Sequence, residues 1–174
     1  MILTCEEALF LTWSIGCLDI VDDSNNKVPL SELWLLLISA HTLPASVPLL
    51  RFGSPISLTF AARYISYHHY RSRGWTVRPG IKFGADWLLY RRTPTLDHAE
   101  FAVVAAGQTV SGPRDWTQIH ALVRVCQQAK KKLVVCRVLM SIEVIDVCNG
   151  PASLLENSTI TESQYSRWVP ETNR

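Results

Sequence analysis

The sequence predicts an α+β fold: a small N-terminal α/β subdomain over residues 1–55, then a larger α/β domain over residues 56–174 with a central mixed sheet flanked by helices. Three observations carry this. Segments of helical apolar spacing (4–15, 31–40, 57–73, 116–131) are interleaved with short runs of strand character (75–77, 81–91, 98–105, 133–139). The stretch from Pro44 to Pro55 reads as a linker. At 174 residues the chain is long enough for one medium domain, or for a small domain joined to a larger one.

Thr4 followed by Glu7 is a capping-box signature, and the apolar run to Ile15 is a helix closed by Gly16. A short strand is expected at Cys17 to Val21, ahead of the turn-forming Asp22 to Asn26. Ser31 is placed to cap a second helix through Ala40. The third runs from Ser57 to about Arg73, with Phe60, Tyr64, Tyr67 and Arg71 on helical spacing and Gly74 as its stop. His68 and His69 are adjacent on it and point about 100° apart, which favours packing or surface roles over a shared metal. Pro79-Gly80 fits the centre of a type II turn joining strands Trp75–Val77 and Ile81–Arg91. Alternation along the second puts Phe83, Ala85, Trp87 and Leu89 on one face, and Lys82, Asp86, Leu88 and Tyr90 on a more polar one.

After a turn at Pro94, His98 opens the next strand, near the point where Tyr90 leaves the previous one. Asp115 is expected to cap a helix from Trp116 to about Lys131, with Trp116, Ile119, Val123, Cys126 and Ala129 on its apolar side. Arg124 and Lys131, seven residues apart, share a direction if that helix continues so far. Leu133 to Leu139 reads as a buried strand, 141–162 as an acidic loop, and Ile160 to Val169 as an edge strand carrying Trp168.

The net charge of +2 hides an asymmetry. Residues 1–50 hold one basic and six acidic side chains, 51–137 fourteen and four, and 138–174 two and five. A central block of net +10 is the footprint of a polyanion binder, or else a solvated basic surface. The longest apolar stretch, Leu33 to Ala40, is far short of the roughly 20 residues that cross a bilayer, so no membrane insertion is expected. Glu6 and Glu7 stand where a signal peptide carries positive charge, which makes an intracellular protein the expectation. Five cysteines without a C-x-x-C pair predict neither a disulfide framework nor a zinc site.

Within the basic block, Tyr90, His98 and Lys131 supply a phenol, an imidazole and an ammonium without a metal-ligand cluster, a set suited to acid–base chemistry on a phosphate. Each has a plain alternative: a tyrosine ring buried in a strand, a surface histidine, and a lysine triplet at Lys130 to Lys132 that complements a helix C-terminus.

Several ordered blocks carry a more specific signal: Tyr67 to Trp75, Pro79 to Asp86, Leu88 to Arg92, His98 to Val103, Lys131 through Cys136, and Ser166 to Val169, with Glu6 to Leu11 ahead of them. Together they resemble the tRNA-splicing endonuclease catalytic subunits, and most closely the eukaryotic type assigned to the 5′ splice site. The resemblance implies that residues 56–174 form a tRNA-intron endonuclease catalytic domain. Its catalytic tyrosine, histidine and lysine fall on Tyr90, His98 and Lys131. A bulged RNA nucleotide would be gripped between Arg124 and Trp168, a guanidinium and an indole that can sandwich a base. The implied substrate is intron-containing pre-tRNA, cut by attack of the 2′-hydroxyl to leave 2′,3′-cyclic phosphate and 5′-hydroxyl ends.

An ordinary phenol, with a pKa of about 10, is only about one part in a thousand ionised at pH 7, so a tyrosine base needs a nearby cation. The resemblance further implies no cofactor and no metal, a heterotetramer with other endonuclease subunits, and a nuclear location. Two departures from the family pattern, Phe83 where tyrosine is frequent and a short connection from Val104 to Trp116, are expected to leave the three residues untouched. Two other readings stay open: a non-catalytic architectural subunit of the same assembly, and a metal-dependent nuclease using Asp86 and Glu100.

Overall fold

The computed structural model describes residues 2–40, 55–107, 116–140 and 150–168. The expected linker at 44–54, the Asp115 cap, most of the connection before Trp116, residues 141–149 and Val169 lie outside the described residues. The fold is α+β. Helix α1 (Cys5–Leu9) continues into a π-helical turn, Phe10–Ile15, and is followed by α2 (Leu30–Ala40) and α3 (Pro55–Ser72). Strands β1 (Thr76–Pro79), β2 (Trp87–Tyr90) and β3 (Phe101–Gly107) precede α4 (Trp116–Gln128), and β4 (Lys132–Met140), α5 (Gly150–Glu156) and β5 (Ser158–Tyr165) complete the described chain. The five strands form one sheet in the order β1-β2-β3-β4-β5. Its pairs are antiparallel apart from β3 with β4, which is parallel.

At the N-terminus the capping box forms: Glu7 donates its amide to Thr4 Oγ1 at 3.2 Å, and Glu7 Oε2 accepts the Thr4 amide at 3.0 Å. The expected strand at 17–21 reduces to an isolated bridge, Val21 to Lys27. The reason is local, since Asp22 Oδ1 accepts the amides of Ser24 and Asn26 and closes a tight turn with Asn25 at φ +64°. Ser31 lies inside α2, one residue after its start, rather than at its cap.

The connection from β1 to β2 also differs from expectation. Gly80 has φ −100°, outside the geometry a type II turn demands at its third residue. A 3-10 turn, Ile81–Phe83, intervenes, and the positive φ falls instead at Gly84, at +68°. Gly80 is still required for space, because a Cβ there would stand 2.9 Å from the Ala85 carbonyl oxygen. Strand alternation therefore holds only across β2. Trp87 and Leu89 enter the larger core with Tyr64, Tyr67 and Val103, while Leu88 and Tyr90 face a second core that also takes Phe83 and Ala85. The face bearing Tyr90 is thus apolar, not the polar face expected.

Two clusters pack the sheet. The larger, on the α3 side, also holds Leu9, Phe10, Leu33 and Trp34, so the N-terminal helices share a core with α3 and the strands. The smaller joins Ile119, Val123 and Cys126 of α4 to Leu88, Ala102, Val104 and Leu133. Within 150–159 the chain forms α5 and the start of β5 rather than the expected acidic loop, and the edge strand expected from Ile160 forms as part of β5, which pairs with β4 from Leu133–Tyr165 to Met140–Ser158. Trp168 follows β5 instead of belonging to it.

One ion network ties these parts together. Arg63 on α3 donates from Nε to Glu6 Oε1 at 2.9 Å and from Nη1 to Asp86 Oδ1 at 2.5 Å, while Asp86 Oδ2 accepts the Ala105 amide at 2.9 Å. Glu6 is 2 % exposed, so its charge depends on that partner.

Arg63→Leu is therefore expected to cost about 3 kcal/mol, the low end for a broken buried pair because Arg63 keeps some contact with water. The urea unfolding midpoint measures it, and an unchanged midpoint would contradict the network's role. In the same assay Gly80→Ala should lose roughly 1–3 kcal/mol through overpacking against Ala85.

Candidate active site

Sheet topology brings Tyr90, His98 and Lys131 to one end of the sheet. Glu100, just before β3, donates its amide to the Leu89 carbonyl at 3.0 Å and accepts the Lys132 amide on its own carbonyl, also at 3.0 Å. That single residue fastens the end of β2 to the start of β4. Tyr90 is one residue beyond the first bond, Lys131 one residue before the second, and His98 two residues ahead of Glu100 on an exposed, irregular segment. His98 is thus outside β3, which begins at Phe101 rather than at the expected position.

Lys131 does not lie on α4. The helix ends at Gln128, and Lys130 takes a left-handed conformation, φ +54°. The Lys130 amide then bonds the Gln127 carbonyl at 3.0 Å and the Lys131 amide the Cys126 carbonyl at 2.8 Å, the paired bonds of a Schellman stop. This stop separates Lys131 from Arg124, which do not share the direction a continuous helix would have given them. Instead Lys131 Nζ donates to the Ala99 carbonyl at 3.3 Å, next to His98. The same ammonium stands 5.1 Å from the centre of the Phe83 ring. Phe83, expected to be remote from the three residues, touches one of them.

Tyr90 is half-buried and packs with Phe83, Leu122 and Tyr165 against the smaller core. Burial pushes the Cys126 thiol up, with the Lys131 charge acting in the opposite direction. Two carboxylates of this region, Glu100 and Asp86, are engaged by cations. Glu100 accepts from Arg91 Nε at 2.7 Å and lies 3.7 Å from Lys132 Nζ. The hydrogen bond from Arg91 holds the Glu100 carboxyl below the usual range, against a smaller opposing effect of desolvation. Asp86 is taken by Arg63 and the Ala105 amide. The two candidates for a metal-dependent site are thus both ion-paired, to different arginines on different elements.

Arg124 and Trp168 come together in a cavity of about 610 Å³, also lined by Trp116, His120, Tyr165 and Arg167. Three of these linings were not anticipated from the sequence: His120, Tyr165 and Arg167. The signal for His120 is its spacing, since Trp116, His120 and Arg124 recur every four residues along α4. Trp116 itself was expected on the buried side of α4, but it is 64 % exposed. A second cavity, of about 380 Å³, lies on the opposite face of the sheet among Tyr70, Trp75, Phe101 and Glu162, and none of the five candidate residues lines it.

Comparison with known proteins accords with this geometry. Residues 60–144 match the family model of the tRNA intron endonuclease catalytic C-terminal domain. The tRNA-splicing endonuclease subunit SEN2 of Saccharomyces cerevisiae is 36% identical over 90% of this chain and 46% of its own length. Subunit Sen2-1 of Arabidopsis thaliana is 32% identical, with 99% of this chain and 65% of its own length covered. Subunit Sen2 of Gallus gallus is 28% identical over 99% of this chain and 35% of its length. The chain thus spans between about a third and two thirds of these relatives. By this likeness, carried by the stretch from α3 to just past β4, the chain belongs to the tRNA-intron endonuclease family.

Proposed function

We propose that this chain is the catalytic subunit of a tRNA-splicing endonuclease, cutting intron-containing pre-tRNA at the 5′ splice site without a metal. The observation that supports this best is the Glu100 junction, which gathers the family's candidate tyrosine, histidine and lysine at one sheet end. The names of the relatives, all Sen2 subunits of tRNA-splicing endonucleases, are consistent with the 5′ assignment.

In the proposed reaction the 2′-hydroxyl oxygen forms a bond to the adjacent phosphorus as the bond from phosphorus to the 5′-oxygen breaks. Tyr90, as phenolate, takes the 2′-hydroxyl proton, and His98, as imidazolium, gives its proton to the leaving 5′-oxygen. Lys131 stabilises the extra negative charge on the pentavalent phosphorus, held ready by the Ala99 carbonyl. The products are a 2′,3′-cyclic phosphate and a 5′-hydroxyl. Arg124 and Trp168 hold an unpaired nucleotide in their shared cavity. The chain works with other endonuclease subunits in a heterotetramer, and its place of action is the nucleus.

The decisive experiment is cleavage of an intron-containing tRNA precursor by the co-expressed complex, in excess chelator. His98→Ala should slow one of the two cuts by roughly 10²- to 10⁴-fold and leave the other intact, as expected for removal of a general acid. Two cuts persisting at full rate would favour an architectural role, and loss of wild-type cutting in chelator would defeat the metal-free mechanism. Lys131→Met should lower kcat for the same cut by about 10²- to 10³-fold with little change in KM, the signature of a contact made in the transition state.

A further inference from the structure

We infer that the cavity beside α4 holds two consecutive unpaired nucleotides, with Trp116 as the stacking platform for the second, an inference that rests on the proposed role of Arg124 and Trp168. Trp116 and Arg124 are eight residues apart on one helix, about 12 Å along the axis at ~1.5 Å per residue. A base sandwiched between Arg124 and Trp168 occupies only two van der Waals layers, so it leaves Trp116 out of reach. The volume of about 610 Å³ lies well within the range of sites for whole small molecules, about 300–1,000 Å³, and exceeds what one planar base fills.

Trp116 is presented for such use. Its ring meets Tyr165 edge to face, centroids 6.2 Å apart at 72°, and lies 6.0 Å from the His120 ring. These contacts orient the indole while 64 % of the residue stays exposed, and Trp168 is likewise 68 % exposed. Two exposed indoles on one cavity, with Arg124 and Arg167 beside them and no carboxylate among its described lining residues, match the chemistry of a single-stranded polyanion with aromatic faces. Ser166 and His120 add hydrogen-bonding groups within the same lining.

The test compares RNA stems carrying a bulge of one or of two unpaired nucleotides, with 2′-deoxy sugars in and beside the bulge so that no attacking hydroxyl remains, bound to the chain together with the subunits that co-purify with it. Trp116→Ala should weaken binding of the two-nucleotide bulge by about 5- to 150-fold, the loss of one stacked base, and leave the one-nucleotide bulge within about twofold. Trp116→Phe should restore most of it, which separates stacking from a folding defect. Equal weakening of both RNAs by Trp116→Ala, or of neither, overturns the inference. Arg124→Ala and Trp168→Ala discriminate the underlying reading: both should weaken both RNAs. If they do so and Trp116→Ala does not discriminate, only the second subsite fails. If they weaken neither RNA, the cavity is not a nucleotide site and both proposals fall.

Discussion

The parallel pairing of β3 with β4 is the constraint from which the candidate site follows. Parallel neighbours start at the same sheet edge, so a crossover must carry the chain back over one face, and α4 does this. In the register Phe101 with Lys132, the residues leading into the two strands are forced side by side. One leader carries His98 and Ala99, and the other carries Lys131. Because β2 is antiparallel to β3, its last residue, Tyr90, emerges at that same edge. Backbone pairing thus places all three at one end of the sheet, and Glu100 makes the two bonds that tie β2 to β4 there. A side-chain contact, Lys131 to the Ala99 carbonyl, then adds to a proximity already set by the sheet.

The two faces of the sheet divide the work. The α3 face carries the large aromatic core, in which Trp87 donates to Ser66 at 3.1 Å under the Arg63 guanidinium, and this side absorbs the N-terminal helices. The α4 face is thinner, built from Ala85, Ala99, Ala102 and a few aliphatic residues. At the margin of this core Lys131 lies over the Phe83 ring, and Tyr90 packs against the same cluster. The ammonium consequently sits over an aromatic ring and beside a carbonyl, surroundings that orient it without neutralising it.

Much of this was legible in the sequence because it was written in local signals. The Thr4–Glu7 box, the helix ending at Gly74 and the β4 strand depend on near neighbours, and they form where expected. The candidate residues were legible through their order in the family's blocks, and Arg124 and Trp168 do share a cavity. Other features were hidden, one by a distant strand partner and the rest by local backbone geometry. Ile160–Tyr165 form the expected edge strand, but its start at Ser158, within the stretch expected as a loop, is set by β4, whose Met140 pairs with Ser158. Residues 17–21 have strand character but, among the described residues, keep a single bridge because the Asp22 turn closes directly behind them. Lys130 gave no hint of a left-handed stop, since glycine usually fills that position, and so the condition under which Lys131 and Arg124 would share a direction, a helix continuing to Lys131, is not met. Phe83 looked remote because a 3-10 turn, invisible in alternation, folds it back under Lys131.

Charge distribution connects the fold to its proposed ligand. The basic middle of the sequence does not form one uniform positive surface, since part of it is spent on the acidic flanks: Arg63 on Glu6, Arg78 on Glu7, and Arg73 near Glu162. These pairs draw the N-terminal helix and the last strand onto the central elements. Arg91 and Lys132 in turn cover Glu100, two residues past His98, and so lower the local repulsion that a phosphate would meet. Among the described residues, Arg124 and Lys131 make no ion pair, and they stand at the cavity and at the sheet end respectively. Cations that hold the fold together are thus paired, whereas those proposed to meet RNA form no ion pair among the described residues, a division that total charge alone does not reveal.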